Sequence, residues 1–152
     1  SFTLERLAEI RQEQEAIINR AEADDADREV RMAAVKLGGV ERLTEILKAG
    51  DAPKVRAPLQ GIRLGPVAFL GTPFEVMQAI KNDVVAAARS PIPLVMGLCN
   101  DSLGYAPDRH CAHRGGYAAD FVPLIVGRLP FEDIHGELCA ALLELDRELT
   151  KS

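Results

Sequence analysis

The sequence has little of what marks the specialised classes of protein. Tryptophan is absent, and two tyrosines and five phenylalanines are the whole aromatic complement of its 152 residues. No stretch reaches 18 consecutive apolar residues, which excludes a helical membrane span. No secretory leader pattern is visible. Cysteine is scarce and odd in number. Cys99, Cys111 and Cys139 share no C-x-x-C spacing, so a disulfide framework is not expected and reduced thiols are. Basic residues are outnumbered, 18 against 23 acids, and lie scattered among them. That balance disfavours a nucleic-acid partner, which wants a clustered basic face. The chain also lacks a Gly-x-Ser-x-Gly elbow, a phosphate-binding Gly-x-x-x-x-Gly-Lys loop and a dinucleotide Gly-x-Gly-x-x-Gly. Glycine and proline are near average, so nothing points to disorder, collagen or a repeat array.

What remains is an ordinary globular composition, 47% hydrophobic and 27% charged, long enough to bury a core. The chain opens on Ser1 and not on Met, which fits a trimmed or processed chain with further sequence upstream, and its localisation is unknown. Residues 1–50 read as helical. Thr3 is placed to cap, with Phe2 and Leu7 as a hydrophobic staple. Leu4, Leu7, Ile10, Ile17 and Ile18 recur at helical spacing. The charge-rich stretch Ala21–Arg31 reads as solvated. Val30, Ala33, Ala34 and Leu37 resume the stripe, Gly38 and Gly39 interrupt it, and Val40, Leu43, Ile46 and Leu47 form a third short helix. Residues 51–54 look like a linker. The expected organisation is therefore a helical segment over 1–50 and an α/β segment over 51–152.

In the second segment, Val55–Leu64 has strand character despite Pro58. Gly65-Pro66 turns the chain into the apolar run Val67–Leu70, which predicts a hairpin. Gly71–Ser90 reads as the clearest helix, with Thr72 as N-cap, Pro73 at the first helical position and Glu75 completing a capping box. Ile92–Cys99 reads as a buried strand, so 66–99 is a βαβ unit with a parallel pair. Residues 100–120 read as a polar loop after a strand's carboxyl end, where α/β proteins place their sites. Ile134, Leu138, Leu142, Leu145 and Leu149 mark one face of a final helix. The fold class is α/β: an N-terminal helical hairpin, a small mixed sheet with a βαβ unit, and a C-terminal helix.

Three short motifs in that segment occur in a telling order: Gly71-Thr-Pro-Phe-Glu75, then Gly97-Leu98-Cys99-Asn100 with Gly104-Tyr105, then Gly115-Gly116-Tyr117. From about Leu64 to Tyr117, roughly a third of the chain, the set resembles the later part of the catalytic domain of the neutral and alkaline ceramidases. The resemblance implies a zinc-dependent amidohydrolase that cleaves the amide of N-acyl sphingoid lipids. It implies Glu75 and Tyr105 as zinc ligands and Tyr117 as the catalytic group contacting the amide. The two histidine ligands of that family belong to its earlier part, so the remainder of the domain is an implied partner and the isolated chain is expected to be inactive. Phe74 stands where the family has glycine, Ala118 stands where it has glutamate, and Arg109-His-Cys-Ala-His113 has no counterpart in it.

Each candidate also has a plainer role open to it. Glu75 at capping-box spacing can bond back to the Thr72 amide, and its direction decides: a cap points at its own helix start, a ligand points toward Tyr105. Tyr105 can be a surface turn residue and Tyr117 a loop residue packed on the core. His110, Cys111 and His113 raise a separate possibility, a small standalone metal hydrolase, because Cys and His bind zinc well. A non-enzymatic α/β binding or assembly module is the other alternative. Asp101 and Asp108 are expected to cap loops, Cys99 to be buried, and His135 to be an ordinary, partly exposed helical residue.

Overall fold

Leu7, Ile10, Val40 and Leu43 converge on one small core because two helices present them at helical spacing. The structure, a computed structural model, describes residues 2–20, 28–50 and 55–151. Helix α1 spans Leu4–Arg20 and α2 spans Arg28–Ala49. Thr3 caps α1 as expected, its Oγ1 accepting the Arg6 amide at 3.1 Å, and Phe2 packs against the core beside Leu7. Two expectations change here. Arg28–Arg31 are helical, the rest of the charge-rich stretch and the linker at 51–54 lying outside the described residues. Gly38 and Gly39 also do not break the helix: α2 runs through them unbroken, so there is no third helix. Gly39 is needed for packing, whereas Gly38 faces open space. A Cβ on Gly39 would stand 1.7 Å from the Leu124 carbonyl oxygen.

Leu124 belongs to a short helix, α5, at Val122–Val126, which is numbered in chain order after α3 (Gln78–Ala87) and α4 (Arg109–Arg114). The chain divides into two compact units. The first comprises residues 1–54 with 120–130, and the second 55–119 with 131–152.

The second unit holds a three-stranded sheet. Strand β1 (Gln60–Leu64) and β2 (Val67–Gly71) form an antiparallel hairpin closed by Gly65-Pro66, with Leu64 opposite Val67. Two further strands follow in the chain, the two-residue β3 at Glu75–Val76 and then β4 at Ile92–Met96. Strand β4 lies parallel to β2, giving the order β1-β2-β4. With α3 between β2 and β4, this is the expected βαβ unit. The last helix, α6, spans Ile134–Thr150 and is capped by Asp133, whose carboxylate accepts the Gly136 amide at 3.1 Å. Its stripe Ile134, Leu138 and Leu142 is buried with Ala68, Leu70, Ile80 and Val84, and Leu145 and Leu149 pack against that cluster. Within this unit no described residue covers the opposite sheet face. Ile62, Leu64, Ile92, Leu94 and Met96 are all exposed, and the register sets Ile62 against Phe69 and Phe69 against Leu94. Among the described residues no helix is long and apolar enough to cross a membrane.

The helix expected over 71–90 is the largest correction. Only 78–87 is helical, and its N-cap position is Met77, with no side-chain cap. Residues 72–76 are non-helical, a bend at 73–74 leading into β3, because tertiary partners claim their backbone. The Thr72 amide donates to Met96, and the Thr72, Pro73 and Phe74 carbonyls accept the amides of Cys99, Leu103 and Leu98. A capping box needs a free helix start, and none is left. Strand β4 likewise stops at Met96 because the following turn places Leu98 and Asn100 at positive φ, 55° and 59°. The region 100–120 is not merely a loop. It holds the strand β5 at Tyr105–Ala106, the helix α4, and a π-helical turn at Tyr117–Phe121.

Candidate metal and amide site

Strands β3 and β5 pair in parallel with Glu75 directly opposite Tyr105. The pairing rests on backbone bonds on either side, the Glu75 amide to the Gly104 carbonyl at 2.9 Å and the Met77 amide to the Ala106 carbonyl at 3.2 Å. Phe74 and Val76 on either side are buried, and Glu75 between them is exposed. Phe74 is buried edge-on to Phe131, ring centroids 5.6 Å apart, so its bulk lies in the core and not beside the carboxylate.

The Glu75 carboxylate lies close enough to the Tyr105 hydroxyl to act on it. That polar interaction, then partial burial, then the Glu75 charge and Tyr117 hold the phenol above its ordinary ionisation range. The glutamate therefore points at Tyr105 and not at a helix start. Tyr117 completes the group, its ring edge-on to Tyr105 with centroids 5.9 Å apart. Gly115 and Gly116, both at positive φ (77° and 105°), carry the chain from α4 into the turn that presents Tyr117. Glu75→Gln is expected to lower the Tyr105 ionisation toward that of a free phenol, and a spectrophotometric tyrosine titration checks this. An unchanged titration would mean the carboxylate does not act on Tyr105.

Compared with known proteins, the chain matches no protein-family model, no curated sequence and no solved structure.

The other candidates scatter. His110 and His113 are exposed on α4, and Cys111 is half-buried there. They do not form a three-ligand cluster among the described residues. Asp108 caps α4, accepting the Cys111 amide at 2.8 Å, which holds its carboxyl below the usual range. Asp101 accepts the neighbouring Ser102 amide at 2.7 Å. Cys99 is half-buried at the strand end, where fuller burial was expected.

His135 departs most from expectation. It is 7% exposed. Its Nε2 lies 2.8 Å from Asp83 Oδ2, and its Nδ1 accepts the Arg109 amide at 3.2 Å. Together with Cys139 these side chains form the group of metal-capable ligands found among the described residues, their ligand atoms within 4.8 Å of one another. A signal was present in the sequence: His135, Cys139 and Asp146 recur at i, i+4 and i+11 on α6, alongside the apolar stripe. The partner Asp83, on another helix, was not readable.

Proposed function

We propose that this chain carries the oxygen-ligand half of a zinc-dependent amide-hydrolase site of the neutral ceramidase type, with Glu75 and Tyr105 as metal ligands and Tyr117 as the amide-contacting group. The observation that carries the reading is the in-register Glu75–Tyr105 pair, in which the carboxylate lies beside the phenol on neighbouring strands. Two oxygen donors that face each other suit a zinc ion's donor chemistry. Zinc, when bound, supplies Lewis-acid polarisation of an amide carbonyl. Tyr105 and Glu75 would hold it, the phenol giving up its proton. Tyr117, whose ring packs edge-on to Tyr105, would donate a hydrogen bond to the amide oxygen as that oxygen gains charge.

Two ligands bind zinc weakly. The reading therefore takes its two histidines from the remainder of a catalytic domain, and its substrate is the amide of an N-acyl sphingoid lipid. The uncovered apolar row Ile62, Leu64, Ile92, Leu94 and Met96 supports further chain packing against this sheet. The chain alone is expected to be inactive.

The test uses the full reading-frame product. Glu75→Gln and Tyr105→Phe are each expected to lower zinc content and abolish hydrolysis of an N-acyl sphingoid. Tyr117→Phe is expected to keep zinc and lower kcat by about 100-fold, as removal of one oxyanion donor does elsewhere. Full activity in Glu75→Gln would falsify the assignment. The apolar sheet face also favours a second reading, a non-enzymatic binding or assembly module. In that case Glu75→Gln is silent and Leu94→Glu abolishes partner binding. Stoichiometric zinc in the isolated chain, lost in His113→Ala, would instead indicate a standalone metal hydrolase using His110 and His113.

A further inference from the structure

The Asp83, His135 and Cys139 side chains have the donor set of a zinc site, but their hydrogen bonding does not fit one. A ligating imidazole binds metal through a bare nitrogen and donates its other N–H to an acceptor. Here Nδ1 faces a donor, the Arg109 amide, at 3.2 Å. Nδ1 is therefore unprotonated, and the neutral ring carries its proton on Nε2, donated to Asp83 at 2.8 Å. Placing a metal on Nε2 would leave the ring without a proton on either nitrogen. Cys139 does not help. Its thiol is pushed up first by burial and then by the Asp83 charge, and its Sγ donates to the Ile80 carbonyl at 3.8 Å.

We infer that His135 is a proton-operated clasp that holds the first turn of α4 when neutral and releases it when charged. The neutral ring joins three elements: α6, which carries it, α3 through Asp83, and the start of α4 through the Arg109 amide. Protonation puts a hydrogen on Nδ1 as well. The Arg109 N–H then faces another donor and that bond is lost, while the bond to Asp83 becomes charge-assisted and strengthens. The charged and titratable groups around the ring come from every element packed on it. They are Asp83 from α3, Cys139 from α6 itself, Asp133 at the α6 cap, and the Arg109 guanidinium, which bonds Asp133 at 2.8 Å.

The released segment matters because α4 connects Tyr105 on β5 to Tyr117 on the π-helical turn. Loosening its first turn loosens the spacing of the two phenols. That consequence rests on the zinc reading, whereas the clasp itself does not.

The test is a pH titration of the intact chain by NMR, following the His135 ring and the exchange protection of the Arg109 amide together. The ring is expected as the Nε2–H tautomer at high pH. Arg109 protection is expected to fall about tenfold as the ring protonates, about what one lost hydrogen bond gives. His135→Asn, whose Oδ1 replaces Nδ1, is expected to keep that protection at every pH. His135→Gln, whose amide replaces Nε2, is expected to lack it at every pH. Protection that is unchanged through the wild-type titration overturns the clasp without needing either variant to fold. An Nδ1–H tautomer overturns it too, as does a cobalt–thiolate absorption band on adding Co²⁺, which would restore the metal-site reading.

Discussion

Gly39→Ala is expected to destabilise the first unit by about 2–3 kcal/mol, within the range seen when a well-packed core is overfilled, while its neighbour Gly38→Ala stabilises it by about 0.5–1 kcal/mol. Both sit in the interior of α2, where alanine is the better helix former. Their surroundings differ. Nothing lies within 4 Å of a Cβ at Gly38, so that substitution collects only the propensity gain. At Gly39 the new methyl would meet the Leu124 carbonyl oxygen at 1.7 Å and its carbon at 2.8 Å. Both are backbone atoms and cannot swing aside. Helix α5 must move, and Leu124 then withdraws from the core it shares with Leu7, Ile10, Val40 and Leu43. Urea midpoints of the two variants against the parent check this. Equal midpoints for the two alanines would sink the packing account and return the glycines to a purely local role.

Asp146→Ala is expected to cost about 3 kcal/mol, since it removes a carboxylate acceptor and strands two largely buried amides. Asp146 is fully buried on α6. Its Oδ2 accepts the Arg89 amide at 2.6 Å and the Ser90 amide at 3.3 Å, pinning the chain between α3 and β4. Burial pushes its carboxyl upward, but the Ser90 hydroxyl and the two amides together more than offset that and hold it below the usual range. The Ser90 hydroxyl acts at close range without a full hydrogen bond, since its oxygen and Asp146 Oδ1 both remain unpartnered.

The sign of the pH dependence follows. A carboxyl depressed in the folded state contributes its full stability above the unfolded value of about 3.9. That stability is lost as pH falls through the lower, folded value. Parent and Asp146→Asn should therefore differ most near neutral pH and converge in acid. Comparing the two isolates this group from Asp108 and Glu144, which are also depressed, by the Cys111 amide and by Arg147 respectively. A gap that persists unchanged to low pH would mean that the charge on Asp146 contributes nothing.

The sequence alone determined the elements whose signals are local and repeated. The α6 stripe is one. The hairpin around Gly65-Pro66 is another, as are the two apolar runs joined by a helix that make the βαβ unit. The ordered motifs around Glu75, Tyr105 and Tyr117 also singled out three residues that the fold places side by side. Tertiary structure decided the rest, and in each case a distant partner outbid a local preference. Thr72-Pro-Phe-Glu75 is a sound capping box until the 96–104 segment takes its amides and carbonyls. Gly38-Gly39 looks like a helix stop until a neighbouring helix needs the space. His135 reads as an unremarkable helical side chain until Asp83 and the Arg109 amide close on its two nitrogens. Spacing along one helix reports what a residue can do by itself, and these roles are set by partners 24 to 85 positions away.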